Sequence, residues 1–107
     1  MTSKGFSEGD DYALAELSVE DDEDLSAKAV LAAKLNKLID KRGLSQTEVA
    51  HITGMTQPKV SQVRRYKLHN ISLERLMQAL VSLDQDVEIV VRPARRAQAA
   101  GITVLAR

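Results

Sequence analysis

Residues 45–64 read Ser45-Gln-Thr-Glu-Val-Ala-His-Ile-Thr-Gly-Met-Thr-Gln-Pro-Lys-Val-Ser-Gln-Val-Arg64, and their spacing decides the fold. Ser45 suits an N-cap, and Glu48 three residues on completes a capping box. Val49, Ala50 and Ile52 continue a short helix that Gly54 ends. Thr56 is placed to cap a second helix, with Pro58 in its first turn, where a missing N–H costs nothing. Two such helices must cross tightly, so a small residue at Ala50 lets their backbones approach and Gly54 permits a left-handed turn. Val49, Ile52, Met55, Val60 and Val63 are expected to lock the crossing angle by burial. Gln57, Lys59, Ser61, Gln62 and Arg64 point elsewhere, on a face pushed beyond the body of the protein. A helix presented in this way fits the major groove of B-form DNA, with its N-terminal side chains reaching base edges.

Working outward, the pattern on the N-terminal side turns helical from Ser26. Ala27, Val30, Leu31, Leu35, Leu38 and Ile39 fall close to a 3.6-residue period, and Gly43 stops the helix after Lys41 and Arg42. On the C-terminal side, a loop with Lys67, His69 and Asn70 leads to Ser72. That serine caps a further helix carrying Leu73, Leu76, Met77, Leu80, Val81 and Leu83. From Asp86 the sequence switches to a β-rich run closed by Pro93. The segmentation is an acidic arm at 1–24, disordered over its first residues, a helical DNA-binding unit at 25–84, a strand at 85–93 and a basic tail at 94–107. Val87, Ile89 and Val91 alternate with Glu88, Val90 and Arg92 in a strand with no obvious partner. Pairing with the same strand of a second chain gives an isologous dimer; a hairpin with Ile102–Leu105 is the competing arrangement.

The chain has 107 residues, 44% of them hydrophobic, which suits one domain with a modest core. Phe6, Tyr12 and Tyr66 are its three aromatics, so the core must come from Leu, Ile, Val and Ala. The absence of cysteine excludes disulfides and thiolate metal sites and fits a reducing compartment. Neither a signal peptide nor a membrane span is indicated, and a cytoplasmic location is expected. Zero net charge conceals a strong asymmetry: residues 1–24 set Lys4 against nine acids, a net −8, leaving +8 on residues 25–107. A basic globular part of this kind is suited to polyanions.

Beyond these mechanics, the span from about Asn36 to Leu83 resembles the Cro/C1-type (XRE) helix-turn-helix domains. The patch Tyr12-Ala-Leu-Ala-Glu-Leu17, the Leu-Ser-Gln-Thr-Glu-Val-Ala and Gln-Pro-Lys-Val-Ser segments, and the ending Leu83-Asp-Gln-Asp-Val-Glu-Ile-Val-Val-Arg-Pro93 are similar to HigA-like antitoxins of type II toxin–antitoxin systems. The resemblance implies a mainly α, lambda-repressor-like bundle of four to five helices with a short C-terminal β-strand used in dimerisation. Asp84 departs from it, standing where a helix-ending glycine is usual and capping less comfortably in the left-handed region. Leu14 stands where an aromatic is common.

By the same resemblance, Gln57 and Gln62 match base-reading positions, since glutamine can pair bidentately with adenine. Pro58 and Ser61 share their face and suit a thymine methyl. Gln46 is similar to a glutamine that touches phosphate and buttresses the recognition helix. Thr56, Lys59, Arg64, Arg65, Lys67 and Asn70 are the other phosphate candidates, setting register and supplying salt-dependent affinity. The implied partners are a palindromic double-stranded operator, a second copy of the chain, and a basic toxin that the acidic arm could cover. No membrane partner, cofactor or metal is expected. His51 and His69 have no local ligand pattern, and Asp21 to Asp24 lack the glycine and spacing of a calcium loop. Without a phosphate-cradling loop or a nucleophile–base pair, a non-enzyme is expected. A free-standing regulator without a toxin, and an interaction module that has lost DNA binding, remain the alternatives.

Overall fold

Apolar residues at helical spacing, punctuated by glycines and capping hydroxyls, produce four helices in the computed structural model, which describes residues 14–95 and 99–107. They are α1 (Leu14–Arg42), α2 (Gln46–Thr53), α3 (Gln57–Arg64) and α4 (Leu73–Ser82). The sequence between Leu14 and Arg42 contains no glycine or proline. It is rich in Ala, Leu, Glu and Lys, all strong helix formers, and all its acids but Asp40 lie in its N-terminal half, with Glu16 in the first turn, where the dipole favours it. The helix therefore starts twelve residues before the expected Ser26, and the boundary placed after residue 24 falls inside it. The first thirteen residues, including Phe6, Tyr12 and the lead expected to be disordered, lie outside the described residues, as do 96–98.

Ser45 Oγ accepts from the Glu48 N–H at 3.1 Å while Glu48 Oε1 accepts from the Ser45 N–H at 2.8 Å, so the capping box of α2 forms as its sequence dictates. Thr56 caps α3 and Ser72 caps α4 in the same way, each through its hydroxyl oxygen. Gly43 and Gly54 take φ of +64° and +78°, ending α1 and α2 in the left-handed region. Asp84 does so after α4 at φ +67°, in the place where the resemblance leads one to expect glycine. Arg42 closes that end, donating to the Leu83 carbonyl at 2.7 Å and standing 3.6 Å from the Asp84 carboxylate.

Helix α1 packs on α3 and α4, and α2 packs on the same two. Leu31, Leu35, Leu38 and Ile39 of α1 meet Val49 of α2, Val60 and Val63 of α3, and Leu76, Leu80 and Leu83 at the α4 end. Met55 fills the turn as expected, but Ile52 is 39% exposed and does not help lock the crossing. Residues Ile52 and Val49 are three apart on a two-turn helix, and the partner surface covers one of them. Leu68 and Ile71, in the loop after α3, are almost wholly buried and nail that loop to the core.

The described residues contain no β-strand, which corrects the expectation for 85–93. A strand exists through ladder hydrogen bonds, and the described residues supply none: residues 102–105 are irregular, so the hairpin with them does not form either. Val87 and Val104 rest against the core, and Lys34 Nζ donates to the Arg107 carbonyl at 2.7 Å. The alternation expected of Val87, Ile89 and Val91 is absent, because Ile89, Val90 and Val91 are all at least 74% exposed.

Candidate nucleic-acid interface

Helix α3 is anchored by Val60 and Val63, each 1% exposed, and this pins which of its faces looks outward. Its N-terminal end is open. Thr56, Gln57 and Pro58 are exposed around the first turn, and Lys59 is half-buried beside them. Thr56 Oγ1 takes up the Lys59 N–H and Pro58 has none, so within the turn the Gln57 N–H is left without an intrahelical partner. Gln57 is exposed, whereas Gln62 further along α3 is half-buried.

A cleft of about 320 Å³ lies between this end of α3 and the N-terminus of α4. Thr56, Lys59 and Asn70, three of the residues expected to meet phosphate, come together around it, joined by Gly54, Ser72 and Arg75. Two helix N-termini and two cations face one concavity, an arrangement favourable to negative charge. Lys59 Nζ donates to the Asn70 carbonyl, and Lys28 Nζ donates to the Leu68 carbonyl at 3.2 Å, so two helices hold the α3–α4 loop by its backbone. Lys67, His69 and Asn70 are consequently displayed at the surface while Leu68 and Ile71 anchor beneath them.

Other expected residues separate into two groups. Gln46 opens α2 and is exposed, and Arg65 and Lys67 follow α3 on the surface. Tyr66, between them, takes φ +59° and is 50% exposed, an aromatic in a left-handed position within a basic run. Arg64, by contrast, is turned back onto α1: Nη1 donates to Asn36 Oδ1 at 2.9 Å and Nη2 to Asp40 Oδ1 at 2.6 Å. Ser61 and Gln62 are half-buried, and the Gln62 amide oxygen is buried without a hydrogen-bond partner. The two glutamines expected to act alike thus occupy different environments. His51 is exposed, and among the described residues no group of His, Asp or Glu is arranged to hold a metal.

Arg75, Lys28 and Asn36 escape the sequence pattern. Arg75 lies in the first turn of α4, far from the motif in sequence, and joins it through the packing of α4 against α2. Lys28 and Asn36 sit among apolar residues of α1 and look like interruptions of its buried stripe. Their burial, 6% and 7% exposed, is the sign of a specific partner.

The geometry agrees with what is known of related sequences. A family model described as a helix-turn-helix domain matches residues 13–92. A solved structure named as an XRE family transcriptional regulator is 50% identical, with a TM-score of 0.74, the match covering 81% of this chain and 99% of that one. The chain belongs to the XRE family of helix-turn-helix proteins. No curated protein matches it. In this XRE chain the match extends past α4 to Arg92, taking in the segment that is irregular here. It also begins beside Leu14, so the long α1 with its acidic first half is part of the family unit. None of the helices among the described residues is long and apolar enough to cross a membrane.

Proposed function

We propose that this XRE protein is a sequence-specific DNA-binding transcriptional repressor that works as a homodimer, and that it is the antitoxin of a type II toxin–antitoxin pair autoregulating its operon. The observation that carries DNA binding is the cleft between the N-termini of α3 and α4, lined by Lys59 and Arg75 next to the exposed Gln57. A backbone phosphate held there sets α3 in register, and Gln57 with the Pro58 ring then reads bases in the adjoining groove. Gln46, Arg65, Lys67 and Asn70 extend the phosphate track on either side. Arg64 and Gln62 turn inward at the other end of α3, and Ser61 lies beside them.

One such domain spans few base pairs, so useful affinity comes from two copies on half-sites about one helical turn apart. Exposed Ile89, Val90 and Val91 are an apolar run that belongs to no ladder among the described residues, suited to antiparallel pairing with the same run of a second chain. The antitoxin role is supported by the resemblance of the Tyr12–Leu17 patch and the ending to HigA-like proteins. An acidic first half of α1 is also complementary to a basic toxin.

Footprinting on the gene's own promoter, with affinity measured across salt concentrations, tests the repressor reading. A protected palindrome and a steep negative dependence of log K on log salt are expected. Salt-insensitive or absent DNA binding instead favours an interaction module. Capture of a small basic protein encoded beside the gene, weakened when Glu20, Asp21, Asp22, Glu23 and Asp24 are changed to their amides, tests the antitoxin part. Without such a neighbour the protein is a free-standing regulator.

A further inference from the structure

The recognition helix is fastened to α1 at its C-terminal end by a small polar network. Asn36 is 7% exposed, and its Nδ2 donates to the Val63 carbonyl in the last turn of α3 at 3.1 Å. Its Oδ1 accepts from Arg64 Nη1 at 2.9 Å, and the same nitrogen reaches the Asn36 carbonyl at 3.3 Å. Arg64 Nη2 donates to Asp40 Oδ1 at 2.6 Å. Asn36 and Asp40 are four apart on α1 and so lie one above the other on a single face. The planar guanidinium fork of Arg64 spans both, a geometry that one ammonium cannot reproduce.

We propose that Arg64 is a positioning residue: with Asn36 and Asp40 it sets the tilt of α3 on α1, and so decides where Gln57 meets the groove, instead of carrying a phosphate. The proposal rests on the DNA-binding reading above. Swinging Arg64 out to a phosphate forfeits its bonds to α1 and leaves the Asn36 amide oxygen without its donor in a buried place, which is costly. The side chain is accordingly only 30% exposed in a run where its neighbours Arg65, Tyr66 and Lys67 are open to solvent. Gln57 lies seven residues away, about 10 Å along the axis, so a change of tilt at the Arg64 end displaces it.

The test compares Arg64→Lys and Arg64→Ala with the parent chain. Each is measured against a duplex selected from a random pool by the parent and against a scrambled duplex, across salt concentrations. Both variants are expected to lose about tenfold in the ratio of selected to scrambled affinity, comparable to losing one base contact. The slope of log K against log salt stays at the parent value. A phosphate role overturns the proposal and gives the opposite pattern: Arg64→Lys behaves as the parent, and Arg64→Ala lowers the slope by about 1 with the ratio intact. A lower melting temperature with ratio and slope both unchanged also overturns it, leaving Arg64 a prop of the fold. Should both variants fail to fold, Asp40→Ala removes one exposed partner; a smaller fall in the ratio at constant slope supports the proposal, and an unchanged ratio overturns it. If the parent selects no sequence, the DNA-binding reading fails and takes this proposal with it. If the parent selects one and Arg64→Lys keeps its preference, this proposal alone fails.

Discussion

The two ends of helix α3 are built from similar polar residues and are treated oppositely by the fold. At the start, Gln57 and Pro58 stand in solvent beside a cleft lined by Lys59 and Arg75. At the finish, Arg64 is bonded to α1, Asn36 holds the Val63 carbonyl and the Gln62 amide oxygen is buried. A basic or amide side chain on a recognition helix is therefore not by itself a nucleic-acid contact. What decides is whether another helix has reached it first. Helix α1 crosses α3 and bonds to its end; the other end meets α4 across a concavity that protein atoms leave unfilled.

The sharpest way to break this comparison is at Asn36. Replacing it by Ala removes the donor to Val63 and the acceptor for Arg64 within a buried site, and is expected to destabilise the protein by about 2–3 kcal/mol. Urea or thermal unfolding reads this directly. A loss under 0.5 kcal/mol means the locked end is not locked by these bonds.

At the open end the pattern reverses. Gln57→Ala leaves stability within about 0.5 kcal/mol, because the side chain is exposed and holds nothing in the fold. It is expected to cost about 1–3 kcal/mol of discrimination at one base position, visible as a relaxed preference when operators are varied one pair at a time. Preserved preference at every position removes Gln57 from the base-reading set.

How far this contrast was legible in sequence follows from the range of the interactions involved. Ser45 with Glu48, Thr56 with Lys59, and Gly54 are contacts within four residues, and the one-dimensional order contains them completely. Asp84 is different: the resemblance, which puts a glycine there, implied the left-handed φ that the structure shows. Arg64 and Asn36 are 28 residues apart, so their bond depends on how α1 crosses α3, which no local pattern encodes. Leu68 and Ile71 were hidden in a loop for the same reason, since burial without helical period has no signature. The run from Asp86 to Val91 has strand composition, but a strand needs a partner that the described residues do not provide. The acidic stretch before residue 25 read as an arm because its charge dominates, although Leu14, Ala15, Glu16 and Leu17 ahead of it are good helix formers and no glycine or proline interrupts the run.

Smaller effects sharpen the open end further. Lys59→Ala and Arg75→Ala are each expected to lower the slope of log K on log salt by about 1, roughly equally for selected and scrambled DNA. Their combination tests whether the cleft holds one phosphate or two. A summed change near 2 means two separate contacts; a change near 1 for the double variant means that both cations share one phosphate. Lys59 also supports the Asn70 carbonyl, so Lys59→Ala carries a stability cost that Arg75→Ala lacks. That difference is read from melting temperatures without DNA.

The smallest effect is the most diagnostic for the locked end. Gln62 Oε1 is buried without a hydrogen-bond partner, and an unsatisfied buried acceptor costs about 1–3 kcal/mol. Gln62→Met keeps the length and removes the orphaned oxygen, so it is expected to raise stability by about 1 kcal/mol, part of the gain being offset where the half-buried side chain meets solvent. The consequence for DNA separates two meanings of that orphan. If Gln62 is simply held inward, Gln62→Met leaves base preference unchanged, and α3 reads through its first turn. If Gln62 swings out to a base on binding, leaving its unsatisfied pocket favours the move, and the variant loses preference at one position while gaining stability. A variant that loses stability shows that the amide is bonded in solution, and the asymmetry between the ends of α3 then lies with Arg64 and Asn36 alone.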